Sequence, residues 1–254
     1  MRRLKPIAHE DQVSLVDHLG ELRERLVVSI AAFGVAFALC FWQSDLLLEL
    51  ASGPLPAGHE RLITFGVTEP FTTTLTVSAY GALILALPVV LFQAYAFLLP
   101  AFSKQHQRAI VPLLLLIPVL FLAGVAFGYF VVLPAATSFL LNFNDNQFNI
   151  QVRASEYYGF FGTTLLACGA VFQVPVGILA VTRLGIVSVD QLKSNRRYAY
   201  LGCAVAAAAL PGVDPVSMII ETVPLILLYE LSIVLARIFA PRLTPPLGEA
   251  TGGA

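Results

Sequence analysis

From Thr74 to Leu98 the chain reads TLTVSAYGALILALPVVLFQAYAFL, without one Asp, Glu, Lys or Arg. A helix rises 1.5 Å per residue and the hydrocarbon core of a bilayer is about 30 Å thick, so about 20 apolar residues make one crossing. This run is long enough. Reading outward from it, six segments qualify, at about 26–42, 74–98, 109–133, 160–182, 198–210 and 216–235. The fifth is too short to span an undistorted bilayer. It turns through Pro211-Gly212-Val213-Asp214-Pro215 into the sixth, which predicts a hairpin of short fifth and sixth helices that stops below one face and thins the membrane there. A boundary displaced by one turn is the alternative, at even weight.

The rest of the composition agrees. Of 254 residues 57% are hydrophobic and 12% charged, against roughly 25% charged for a soluble domain. The expectation is an all-α membrane protein with six transmembrane helices. It forms a single domain over residues 1–241, led by an amphipathic helix at 13–25 and followed by a disordered Pro/Gly-rich tail at 242–254. Pro88, Pro112, Pro118, Pro134, Pro175 and Pro224 fall within or beside the spans, so the helices are expected to be kinked around a concave, cup-like surface. No internal repeat is visible.

Lys and Arg set the orientation, because cytoplasmic loops carry the excess. With six spans one side receives Arg2, Arg3, Lys5, Arg23, Arg25, Lys104, Arg108, Arg183, Lys193, Arg196, Arg197, Arg237 and Arg242, and the other only Arg61 and Arg153. Both termini are therefore expected in the cytoplasm, with no cleavable leader. The long outer segment 44–73 reads as a structured cap, and Tyr157 and Tyr158 in the second outer loop suit the membrane interface. Cys40, Cys168 and Cys203 sit in apolar runs as small buried hydrophobes. No CxxC or Cys/His cluster calls for a metal or cofactor, a net charge of −1 gives no argument for nucleic acid, and no nucleophile constellation points to an enzyme.

Ahead of the first span, Leu15, Leu19, Leu22 and Leu26 line one side of a helix and Asp17, Glu21 and Glu24 the other. An acidic face is unusual beside anionic lipid headgroups. Periodicity alone favours a solvated face with Glu21 and Arg25 paired at i,i+4. The other reading is a site for a cationic ligand.

HLGELRERL (His18 to Leu26) resembles the His-Leu-x-Glu-Leu-Arg-x-Arg-Leu signature of the TatC family, the signal-peptide receptors of the twin-arginine protein translocase. Further matches follow in order: Ser52-Gly53-Pro54-Leu55, Thr68-Glu69-Pro70-Phe71, Pro88, Phe97-Leu98-Leu99-Pro100-Ala101, Ala126-Phe127-Gly128-Tyr129-Phe130, Phe172-Gln173-Val174-Pro175, Asn195-Arg196-Arg197-Tyr198, Asp214 and Tyr229-Glu230. The resemblance implies a receptor in the inner membrane that binds twin-arginine signal peptides of folded precursors. It implies single-span TatA/TatB-type partner subunits, homo-oligomers within the receptor complex, and export driven by the proton-motive force. It assigns Glu21, Leu22, Arg23, Phe97, Pro100 and the His106 position to signal-peptide binding. Gln173, Asp214, Met218 and Glu221 go to partner contact or translocation, and Pro54, Pro70, Phe71, Pro88 and Glu230 to structure. The chemistry fits, since guanidinium and carboxylate form charge-assisted, often bidentate bonds.

Three positions depart from the family pattern. His106 stands where the family has a second acid, Gln173 where it often has Glu, and Met218 where it has Gln. Glu221, one turn beyond Met218, is the residue able to take over that contact. Glu230 lies near the cytoplasmic end, within reach of water or Arg237. The runner-up to a receptor is a proton- or solute-coupled transporter using Gln173, Glu221 and Glu230.

Overall fold

The computed structural model describes residues 15–56, 58, 62–98, 104–148, 150–183, 185–212 and 214–239. The side chains of residues 15–18, 98, 104–115, 183 and 239 lie outside that description. Among the described residues the fold is helical, with one isolated parallel bridge between Ile63 and Arg153. The helices are α1 (Leu15–Trp42), α2 (Ser44–Ser52), α3 (Glu69–Leu98), α4 (Lys104–Phe127), α5 (Leu133–Asn142), α6 (Ala154–Val171), α7 (Val174–Arg183), α8 (Val189–Ser194), α9 (Arg196–Ala209) and α10 (Pro215–Phe239).

Among the described residues five stretches are long and apolar enough to cross a bilayer: Leu19–Trp42, Glu69–Phe97, Leu116–Asn142, Ala154–Thr182 and Pro215–Ile238. α9 has only 14 residues, about 21 Å of helix. α10 has 25 residues, so it is not the short helix expected of the sixth span. The amphipathic segment and the first span are one continuous helix, because no proline interrupts 15–42 and helix formation propagates readily once begun.

Proline sets the breaks. Pro134 has no N–H, and its ring clashes with the carbonyl four residues back. The chain answers with a π-helical turn, Gly128–Val132, in which the Leu133 N–H reaches the Gly128 carbonyl. The helix resumes as α5 and carries the third span to Asn142, beyond the expected 133. Pro175 similarly separates α6 from α7 through a turn at Phe172 and Gln173. Pro88 and Pro224 lie inside α3 and α10. α8 opens with a capping box between Ser188 and Gln191.

α3 lies between α1 and α6, α4 packs on α6 and α3, and α10 packs on α7 and α9. Small residues let these apolar helices approach closely where lipid supplies no hydrophobic drive. A Cβ on Gly162 would fall 2.2 Å from the Tyr80 ring, and one on Gly124 would fall 2.6 Å from the Cys168 carbonyl oxygen.

The main buried cluster joins α2, α3, α5 and α6 through Ala51, Val77, Leu133, Tyr157, Phe161 and Leu165. Carbonyls at and beyond the end of α2, which a helix leaves unpaired, accept bonds from other elements. Tyr129 donates to Leu50 (2.9 Å), Tyr157 to Ala51 (2.7 Å) and Thr137 to Pro54 (2.9 Å), and the Tyr158 hydroxyl meets Ser52 Oγ at 3.0 Å. Tyr157 and Tyr158 are thus buried, at 5% and 7% exposed, and face other helices of the protein. Their hydroxyls are taken by the cap.

Candidate functional site

At one end of the bundle α1 and α3 run antiparallel, with Arg25 beside Gln93 there and Cys40 beside Gly81 further along. Arg25 donates to Glu21 Oε1 from Nε (3.0 Å) and Nη2 (2.5 Å), and from Nη1 to Gln93 Oε1 (3.0 Å). The i,i+4 pairing expected from periodicity is present, and Gln93 extends it across to α3. Phe97 lies one turn beyond Gln93, and Glu21 one turn before Arg25. The two are therefore level at the end of the helix pair. Glu21 is half-buried and Leu22 and Arg23 are exposed. Pro100 and the side chain of His106 lie outside the described residues.

The opposite end is held by Glu69, at the first turn of α3. Its Oε1 accepts from Arg153 Nε and Ser155 Oγ, both at 2.7 Å, and its Oε2 from the N–H groups of Phe65 (2.8 Å) and Gly66 (3.3 Å). The bonded Glu69 carboxylate holds the Arg153 guanidinium still further above its usual range, and that guanidinium lies 5.6 Å from the centre of the Phe65 ring. Pro54 is buried and Pro88 half-buried, whereas Pro70 and Phe71 are exposed. Ser155 and Gln93 had no role in the sequence reading, where Glu69 entered only within the Thr68–Phe71 match and Arg153 only as an outer-side charge. The available signal was an acid directly before Pro70 at a helix start, where the helix dipole favours negative charge.

Gln173 is buried at the α6–α7 break and donates from Nε2 to the Ile117 carbonyl at 3.1 Å. Glu230 is held by Arg196 Nη2 (2.7 Å) and the Tyr200 hydroxyl (2.6 Å), not by Arg237. Tyr229 donates to the Leu192 carbonyl (2.7 Å), so the Tyr-Glu pair fastens α10 to α9 and α8. Two of the three residues of the transporter alternative are thus engaged in helix-to-helix bonds. Met218 is 37% exposed, whereas Glu221 is 2% exposed and faces Phe127, Cys168 and Phe172. Cys40, Cys168 and Cys203 are free thiols.

These arrangements define a polytopic helical membrane protein whose polar side chains tie helices together at both ends of the bundle. The family model for the Sec-independent protein translocase protein TatC matches residues 17–224. The TatC protein of Desulforapulum autotrophicum is 36% identical over 236 residues, covering 92% of this chain and 87% of that one. The chloroplastic TATC of Arabidopsis thaliana is 36% identical over 228 residues, 89% of this chain and 67% of that one. Two crystal structures of the twin-arginine translocase receptor TatC superpose with TM-scores of 0.73 and 0.74 at 32% and 33% identity. They cover 88% and 86% of this chain and 100% and 99% of theirs. The chain belongs to the TatC family.

Proposed function

We infer that the chain is the receptor subunit of a twin-arginine translocase and works by binding and assembly, without covalent chemistry. The observation that carries this reading is Glu21, a half-exposed carboxylate level with Phe97 at one end of the α1–α3 pair, in a chain similar along almost its whole length to a solved twin-arginine translocase receptor. In this reading Glu21 receives a signal-peptide arginine, with Leu22, Arg23, Phe97, Pro100 and His106 around it. Arg25 already occupies Glu21 Oε1, so the ligand competes with it, and Gln93 gives Arg25 a second acceptor when it yields.

The same reading makes residues 1–241 one domain of six crossings, with α9 the short fifth, in the inner membrane with both termini cytoplasmic. The Lys and Arg asymmetry supports that orientation. Single-span TatA/TatB-type subunits would pack on the surface bearing Met218, and the receptor would associate with further copies of itself.

Peptide titration tests it. Glu21→Gln is expected to weaken an Arg-Arg signal peptide by about 1.5–3 kcal/mol, the worth of a hydrogen bond to a charged group. Equal affinity of the parent protein for Arg-Arg and Gln-Gln peptides would sink the assignment. His106→Glu supplies the second carboxylate and is expected to tighten binding by about 1–2 kcal/mol. An unchanged affinity would mean that position 106 does not meet the arginines.

A further inference from the structure

Asp214, Ser217 and Glu221 follow one another at three and four residues, hence along one face of α10, and are 2%, 0% and 2% exposed. Asp214 Oδ1 accepts the Ser217 N–H at 2.8 Å and caps the helix. The remaining polar atoms, Asp214 Oδ2, Ser217 Oγ and both oxygens of Glu221, have no hydrogen-bond partner among the described residues. Helical side chains lean towards the N-terminus, which tips Glu221 towards Ser217 and Asp214, and the Asp214 charge bears on it.

Glu221 borders a small cavity walled by Phe127, Cys168, Val171, Phe172, Leu210 and Leu225. The groups brought to it are the Cys168 thiol from α6, Phe127 from α4 and Leu210 beyond the end of α9, while Ser217 stands one turn before Glu221 on α10 and Asp214 just ahead of that helix. Thr164 of α6 reaches the Pro211 carbonyl of the adjoining turn at 3.4 Å. Among the described residues no Lys, Arg or His lines the cavity. An ionised carboxyl alone among hydrocarbon is among the most expensive groups to bury, and inside a membrane it marks a functional site. A metal cation would need several oxygens at once, and among the described residues the side chains lining this cavity supply only the Glu221 carboxyl. A proton needs only one.

We propose that Glu221 is an intramembrane proton-binding site, entered from the side of the α9–α10 turn on which Ser217 and Asp214 lie. Gly212, at φ +138°, borders that route: a Cβ there would lie 3.5 Å from Ser217 Cβ and 3.8 Å from Asp214 Oδ2. The step moves one proton and no electrons. A proton passes from water at the turn to a Glu221 oxygen, and the same O–H bond breaks on release.

Infrared difference spectra of the full chain in lipid nanodiscs, recorded across pH, test this site independently of signal-peptide binding. The expected result is a protonated-carboxyl C=O band that grows on acidification, moves on labelling glutamate with carbon-13 and is absent from Glu221→Gln. Asp214→Asn is expected to displace its pH midpoint. A parent protein with no titrating band, a band that survives Glu221→Gln, or a midpoint indifferent to Asp214→Asn overturns the proposal. Should Glu221→Gln fail to fold, the labelled parent and Asp214→Asn decide it alone.

Discussion

Glu69 and Glu221 are buried to nearly the same depth, yet among the described residues Glu69 has four hydrogen-bond donors and Glu221 none. Position along the helix accounts for the difference. Glu69 stands in the first turn of α3, beside the N–H groups of an irregular loop and the Arg153 strand-like segment, where acceptors are wanted. Glu221 lies in the second turn of α10, where backbone donors are used up within the helix and the neighbours are apolar. A carboxylate whose bonds are all made stabilises its surroundings. One without partners costs stability and is retained for another reason.

The largest effect is expected from Glu69→Leu. It strands two backbone N–H groups, Ser155 and the Arg153 guanidinium together, so the segment 62–66 loses its side-chain tie to the start of α6 and keeps the backbone bridge at Ile63. Thermal melting in detergent should show a midpoint below that of any variant at Glu21, Glu221 or Glu230. A melt like that of the parent protein would mean that the carboxylate serves only surface solvation.

The opposite sign is expected at the other carboxylate. Glu221→Met replaces an unpartnered polar group by an apolar one of similar length and should raise stability by about 1–3 kcal/mol. A loss of stability would mean that Glu221 has bonds in the membrane, and would erase the contrast with Glu69.

Five of the six expected spans were legible in the sequence because a crossing needs only length and apolarity, both local properties. The extension of the third span past Pro134 was not, because a π-helical turn depends on how the backbone absorbs one missing donor. The Glu21–Arg25 pair could be read from its spacing alone. Its link to Gln93, and the bonds from Tyr129 and Tyr157 to α2, join residues 68 to 106 positions apart and have no sequence periodicity to announce them. Glu230 shows the same limit: Arg237 is near it in sequence, but Arg196, 34 residues away, is its partner. Glu230→Gln tests that attachment. The pair is part-exposed, so a loss of only about 0.5–1 kcal/mol is expected, and Arg196→Gln should give the same loss without adding to it.

Glu21 should show the smallest change in stability. Its bond to Arg25 is an i,i+4 pair with both side chains in partial contact with solvent, a class that contributes about 0.3–0.5 kcal/mol. Arg25 keeps its bond to Gln93 when the carboxylate becomes an amide, so Glu21→Gln should melt within about 0.5 kcal/mol of the parent protein. A carboxylate whose bond to Arg25 contributes so little to the fold, yet which stands at the end of a helix pair and competes for guanidinium, is suited to binding. The two measurements on one variant separate these roles. A small change in melting with a large loss of Arg-Arg peptide affinity assigns Glu21 to the ligand, and a large change in melting would make it a structural group like Glu69.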